Sequence, residues 1–205
     1  MQGAGGLAWG GITCVLPYQL YLRTGDLSIV LDTYNTTQGY LNYWLNQSTP
    51  GVILTTGGLG DWQSPHGGGS TDEVTQFVNS YFVYVLKIGA KLASLAGDDT
   101  QAEIWSQAAV NRGNLVHKTY YNTTTQKYGQ GKVSHQGDQL APLMAGLVPD
   151  ELRSGVVEKL LEQILVESGG HVDTGLFNTF FLADLLASEH DDVLYTAAAA
   201  PTAPS

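Results

Sequence analysis

A single cysteine, Cys14, means that no disulfide can form within this chain and that no cysteine-rich zinc site exists. Basic residues are nearly as scarce: nine Lys and Arg stand against nineteen Asp and Glu, for a net charge of −10. Nucleic acid and anionic membrane both need clustered cations, so neither is an expected partner. A neutral or cationic ligand fits better. Charged residues of all kinds make up only 14% of the 205 residues. The surface must therefore be covered largely by Ser, Thr, Asn, Gln and Gly, as suits a protein that works outside the cell. No apolar run is long enough to span a bilayer. Met1 to Gly11 lack a basic stretch followed by an apolar one, so they do not read as a signal peptide. With a helix beginning almost at once, this suggests that upstream sequence was lost. No G-x-S-x-G, Cys/His or P-loop pattern occurs. His117 and His135 have no partners at metal-ligand spacing, so neither metal nor cofactor is expected.

What the chain does have is 43% hydrophobic residues, arranged with helical periodicity. Val74, Phe77, Val78, Tyr81, Phe82, Val85, Gly89, Leu92 and Leu95 predict a helix over Thr71 to Leu95, with Ser70 and Glu73 as its capping box. Gly97 and Asp98 end it. A second helix follows over about Thr100 to Tyr120, so close that the two must pack antiparallel. Upstream, Ile12, Val15, Leu16 and Leu20 mark one helix, and Leu27 to Leu45 another after Gly25-Asp26. Downstream, helices are predicted at Gln136 to Ala145, from Pro149-Asp150 to Gly169-Gly170, and at Thr174 to Ala187, the last capped by Asp173 or Thr174. The only strand-like stretch is a short ribbon near Lys127 to Val133. The expectation is an all-α chain of roughly seven helices in hairpins, one domain over residues 1–195, followed by a disordered Ala/Pro tail at 196–205. Three sequons, at Asn35, Asn46 and Asn122, are glycosylation candidates if the protein is secreted.

Between the predicted helices lies a long Gly-rich loop, Thr49 to Ser70. Long ordered loops on a helical scaffold are usually functional. Within it, Gly60-Asp61-Trp62 is the leading candidate site. An indole stacks on the apolar face of a sugar ring, and a carboxylate accepts hydrogen bonds from its hydroxyls. The bland alternative makes Trp62 a core plug and Asp61 a turn cap. His171, in His171-Val172-Asp173-Thr174-Gly175, is a second candidate, and Trp9 with Gly10-Gly11 a third. All three precede a helix, so equivalent helices would bring them to one mouth. Glu73 is explained by capping. His66 is expected to be solvated, and Asp138 to cap or face solvent.

At these spots the sequence resembles the six-hairpin catalytic domain of the bacterial-type α-L-rhamnosidases. The resemblance runs through Ala8-Trp9-Gly10, Pro17, Leu20-Tyr21 and Thr24-Gly25-Asp26 to Gly60-Asp61-Trp62. It continues at Gly146-Leu147-Val148-Pro149, Gly170-His171, Thr174-Gly175 and Asn178-Thr179. It covers nearly the whole chain, in order. It implies an (α/α) toroid of six hairpins and inverting hydrolysis of terminal α-L-rhamnose. Trp9, Asp61, Trp62 and His171 would then line the sugar pocket. Inversion needs a carboxylic acid and a carboxylate base roughly 6.5–9.5 Å apart. By the resemblance, the acid lies in a segment upstream of Met1 and the base downstream of Ser205. One departure falls inside the match: Gly11 stands where the family usually has Asp after Trp-Gly. A toroid needs about twelve helices, so this chain alone is expected to expose apolar faces, to be marginally stable and to be inactive. Another toroidal glycosidase or lyase, and a non-catalytic carbohydrate-binding or scaffold protein, are the alternatives.

Overall fold

A computed structural model describes residues 6–55, 59–65, 71–130 and 134–200. Parts of the Gly-rich loop, 56–58 and 66–70, with His66 and the capping residue Ser70, lie outside the described residues. So do 131–133 and 201–205. Nine α-helices occur among the described residues: α1 (Gly6–Gly10), α2 (Ile12–Thr24), α3 (Ser28–Asn46), α4 (Thr71–Leu95), α5 (Asp99–Tyr120), α6 (Gln136–Met144), α7 (Asp150–Glu162), α8 (Leu176–Glu189) and α9 (Asp191–Ala199). Residues Gln163–Glu167 extend α7 as a π-helical turn. The predicted ribbon is a two-residue antiparallel pairing of β1 (Tyr121–Asn122) with β2 (Lys127–Tyr128). The all-α expectation holds, and the long helix runs over the residues its periodicity marked. The chain divides into two compact units: residues 1–58 with 78–116, and residues 59–77 with 117–205.

In the first unit, α2 and α3 form a hairpin. Gly25 adopts φ 71°, a left-handed conformation open to glycine, and its N–H closes α2 on Tyr21 O. Asp26 then accepts the Ser28 N–H at 2.9 Å to open α3. Thr37 Oγ1, fully buried, donates to Thr13 O at 2.8 Å and locks the pair. The later part of α4 packs antiparallel on α5, with Asn79 and Phe82 against Arg112 and Gly89 against Trp105. Gly89 is required by space: a Cβ there would sit 2.2 Å from Leu41 Cδ1 and 3.2 Å from the Trp105 ring. Trp105 is fully buried and donates its indole N–H to Asn42 Oδ1 at 3.2 Å. Asn79 brackets Leu54 through both its backbone groups, and Arg112 Nη1 donates to Val52 O at 2.8 Å. The loop that leaves α3 is thus pinned at its base.

Cys14 is fully buried in this unit, and burial pushes its thiol up to about 12. The thiolate is the reactive species. The folded chain is therefore expected to resist iodoacetamide at pH 8, with complete labelling in denaturant; mass spectrometry after a timed quench reads this out. Rapid labelling without denaturant would contradict the buried placement.

In the second unit, Leu140, Leu160, Ile164, Leu182, Leu186 and Val193 form one core cluster from α6, α7 with its π turn, α8 and α9. Val193 on α9 corrects the expected tail. The helix runs through Ala199 because Val193 docks on this cluster, so the region assigned to a disordered tail is helical up to that point. α8 also begins at Leu176 rather than Thr174, and neither Asp173 nor Thr174 caps it. A distant residue does so instead.

Candidate active site

That residue is Asp61. Its Oδ2 accepts the Gly175 N–H at 2.7 Å, and its Oδ1 accepts the N–H groups of Phe177 and Asn178, each at 3.0 Å. The Trp62 carbonyl takes the intervening Leu176 N–H at 2.8 Å. A helix leaves its first four N–H groups without intrahelical partners. Here one turn, more than a hundred residues away in sequence, satisfies all four. The positive end of the helix dipole favours the carboxylate placed there. The approach is close enough to demand glycine: a Cβ on Gly175 would lie 2.3 Å from Asp61 O and 2.5 Å from Trp62 O. Burial raises the Asp61 carboxyl above its ordinary value, against the opposing effect of its amide donors.

The consequence for the candidate residues is direct. Asp61 engages the start of α8 through both of its carboxylate oxygens. Trp62 is not a core plug: its residue is 40% exposed. His171 is half-buried; its N–H donates to Ser168 O and its carbonyl accepts Gln136 Nε2 at 2.9 Å. Trp9 belongs to the other unit, half-buried in α1 immediately before α2. Gly11, the departure from the family pattern, is buried there, and a Cβ on it would sit 2.5 Å from the Tyr81 ring. In this chain Tyr81 fills the space a side chain at position 11 would need.

Beside the Asp61 latch lies a cleft of about 40 Å³. Its polar lining includes Asp61, Glu73, His135, Asp138, Asp173 and Asn178. His135 sits between two carboxylates, with Nε2 3.1 Å from Glu73 Oε1 and Nδ1 3.1 Å from Asp173 Oδ2. The His135 side chain also takes the Asp138 backbone N–H as the cap of α6. Glu73, read from the sequence as a capping residue, here contacts His135. Asp138 accepts the His135 N–H at 3.0 Å, capping α6 from a buried position rather than facing solvent. Gln136 takes the Asp173 N–H at 2.9 Å as well as holding the His171 carbonyl, so it pins the segment before α8. Sequence reasoning missed His135, Gln136 and Asn178 as site residues. The one available sign was Asn178-Thr179 within the family resemblance.

Helical hairpins with a carboxylate-lined cleft beside the Asp61 latch make up this all-α scaffold. The comparisons with known proteins specify it further. The family model of the bacterial alpha-L-rhamnosidase 6 hairpin glycosidase domain matches residues 1–205, and the chain belongs to that family. An alpha-L-rhamnosidase of Streptomyces avermitilis is 26% identical over 94% of this chain and 18% of its own length. One from Formosa agariphila is 29% identical over 96% of this chain and 21% of its own. The chain thus spans about a fifth of the length of these relatives. The solved alpha-L-rhamnosidase of Dictyoglumus thermophilum superposes with a TM-score of 0.88 at 25% identity, over 98% of this chain and 23% of that one. The S. avermitilis enzyme, solved with L-rhamnose, gives 0.78 at 24% identity, over 94% and 18%.

Proposed function

We propose that this chain forms part of the sugar-binding wall of an inverting α-L-rhamnoside hydrolase, with Trp62 as the stacking platform and Asp61 as the residue that holds it in place. The observation that carries this reading is the latch itself. Four amides at the start of α8 clamp the Asp61-Trp62 turn, and Trp62 remains 40% exposed. The names of the relatives, and the L-rhamnose bound in one of them, supply the sugar. Trp9 and His171 are the further wall residues of this reading. The acid and base of the inverting reaction are assigned to parts of a full-length protein outside this chain. No helix among the described residues is long and apolar enough to cross a membrane. Secretion is part of the proposal, and Asn35, Asn46 and Asn122, all exposed, would then be open to glycosylation.

The purified chain is expected to show rhamnose-dependent quenching of tryptophan fluorescence, weakened at least tenfold in Trp62→Ala, and no turnover of an aryl α-L-rhamnoside. Clear turnover would place an acid and base within these residues. Absence of any rhamnose response in the folded chain would remove the binding role.

A further inference from the structure

The contacts of His135 make incompatible demands on one ring. Its Nε2 lies 3.1 Å from Glu73 Oε1, and its Nδ1 lies 3.1 Å from Asp173 Oδ2. The same side chain accepts the Asp138 backbone N–H and so caps α6. An imidazolium carries a proton on both nitrogens and has no lone pair to accept with; a neutral ring carries one proton and one lone pair. Two ionised carboxylates ask for two protons, and the cap asks for a lone pair. No protonation state of the ring meets all three while the carboxylates are ionised. Nδ1 sits next to the main chain, and so it is the nitrogen within reach of an amide three residues on. The conflict therefore falls on Nδ1, between the Asp138 N–H and the Asp173 carboxylate. We propose that His135 is a proton-operated clasp on the cleft: with a proton between Nδ1 and Asp173 it ties Asp173 to Glu73, and on losing that proton it releases Asp173 and keeps the α6 cap. The proton belongs to the pair; placed on the carboxyl instead of the ring it still joins the two atoms, and its loss still parts them.

The three partners come from separate elements, so the clasp spans the cleft. Glu73 lies in the first turn of α4, and His135 is the N-cap of α6. Asp173 lies in the segment that leads into the latched start of α8, where Gln136 Oε1 accepts its N–H at 2.9 Å. The side chains of His135, Glu73 and Asp173 are 22%, 21% and 25% exposed. Water can therefore carry the proton in and out, while a mismatched pair stays partly desolvated and is costly to keep. The charged groups that face the ring are carboxylates: Glu73 from α4, Asp138 from α6, Asp173 from the segment before α8 and, lining the same cleft, Asp61 from the latch. Release loosens one wall of the cleft and turns the Asp173 carboxylate toward whatever enters it, with α6 still capped. The clasp needs only the second unit's own geometry and does not depend on which molecule the cleft takes.

The full chain, labelled with ¹⁵N and ¹³C, is titrated without any sugar from about pH 5 to 8, the range over which imidazoles change charge. The ring nitrogens of His135 report the proton, the Asp138 amide reports the cap, and the Asp173 carboxyl carbon reports the clasp. As pH rises, Nδ1 should change from a protonated to a lone-pair nitrogen and the Asp138 amide should move downfield. The Asp173 signal should shift with the same midpoint. His135→Asn keeps a good N-cap and removes the ring, so both responses should vanish and only the carboxylates' own titration should remain. Asp173→Asn keeps the ring and removes the charge it releases; the Asp138 shift should persist while the amides of residues 171–175 stay still. Loss of the Nδ1 proton with no movement at Asp173 would overturn the proposal. So would a neutral ring that keeps its proton on Nδ1, a ring that holds one state across the range, or an Asp173 response that survives in His135→Asn.

Discussion

Asp61→Asn lowers the stability of the chain by about 3 kcal/mol in urea denaturation and frays the start of α8. The figure follows from the hydrogen bonds. The carboxylate accepts three backbone N–H groups, from Gly175, Phe177 and Asn178, and the side-chain amide of Asn178. Asparagine keeps the shape and one acceptor oxygen, but it turns an NH₂ toward amides that also donate. Some of those N–H groups are then left unmet at a partly buried helix start. Amide exchange at residues 175–178 should rise well ahead of exchange in α6, and Trp62 fluorescence should shift as its turn loosens. A variant as stable as the parent would show that α8 does not depend on the latch.

The same residue has an unusual pH signature. Its folded carboxyl titrates above the ordinary value of 3.8. Between 3.8 and the raised folded value, the native state therefore binds more protons than the unfolded one, and stability contributed by this group falls as pH rises. Below 3.8 both states are protonated and the contribution is level. Subtracting the stability of Asp61→Asn from that of the parent at each pH isolates this group. The difference should shrink with increasing pH across that window. An increase would mean that the amide donors outweigh burial.

Self-association is the second large effect. On α2, Ile12, Leu16 and Leu20 are 54%, 49% and 38% exposed, at four-residue spacing, and so form one apolar stripe in contact with water. At micromolar concentrations the chain should elute from size exclusion above its monomer mass of 21.9 kDa and rise with concentration. Leu16→Glu with Leu20→Glu should restore the monomer while changing stability by no more than about 0.5 kcal/mol each, because these side chains are already exposed in the folded chain. Light scattering reads the mass directly. A parent chain that stays monomeric at every concentration would show that the stripe is tolerated in water. The stripe also matches the expectation that these hairpins normally meet further helices of a larger ring.

Much of the helical layout was readable from local pattern. The Thr71–Leu95 helix follows its apolar spacing, α2 stops at Gly25, and α5 starts from Asp98, whose Oδ1 accepts the Gln101 N–H at 3.1 Å. Periodicity and caps act over one or two turns, so nearby residues suffice to specify them. α9 was not readable this way, because its Ala-rich run has no stripe and its anchor, Val193, gains meaning only from the cluster it joins.

The chain itself determined that Asp61-Trp62 and the Gly170-to-Asn178 stretch are special, through glycines and family likeness. Which atoms meet was decided by tertiary structure. The partner of Asp61 lies 114 residues away, and His135 reaches Asp173 across 38. Such pairings depend on how helices pack, and helix packing sums many weak side-chain contacts that no short window of sequence contains. For that reason the helix that Asp61 caps, so distant in sequence, could not be read from its own neighbourhood.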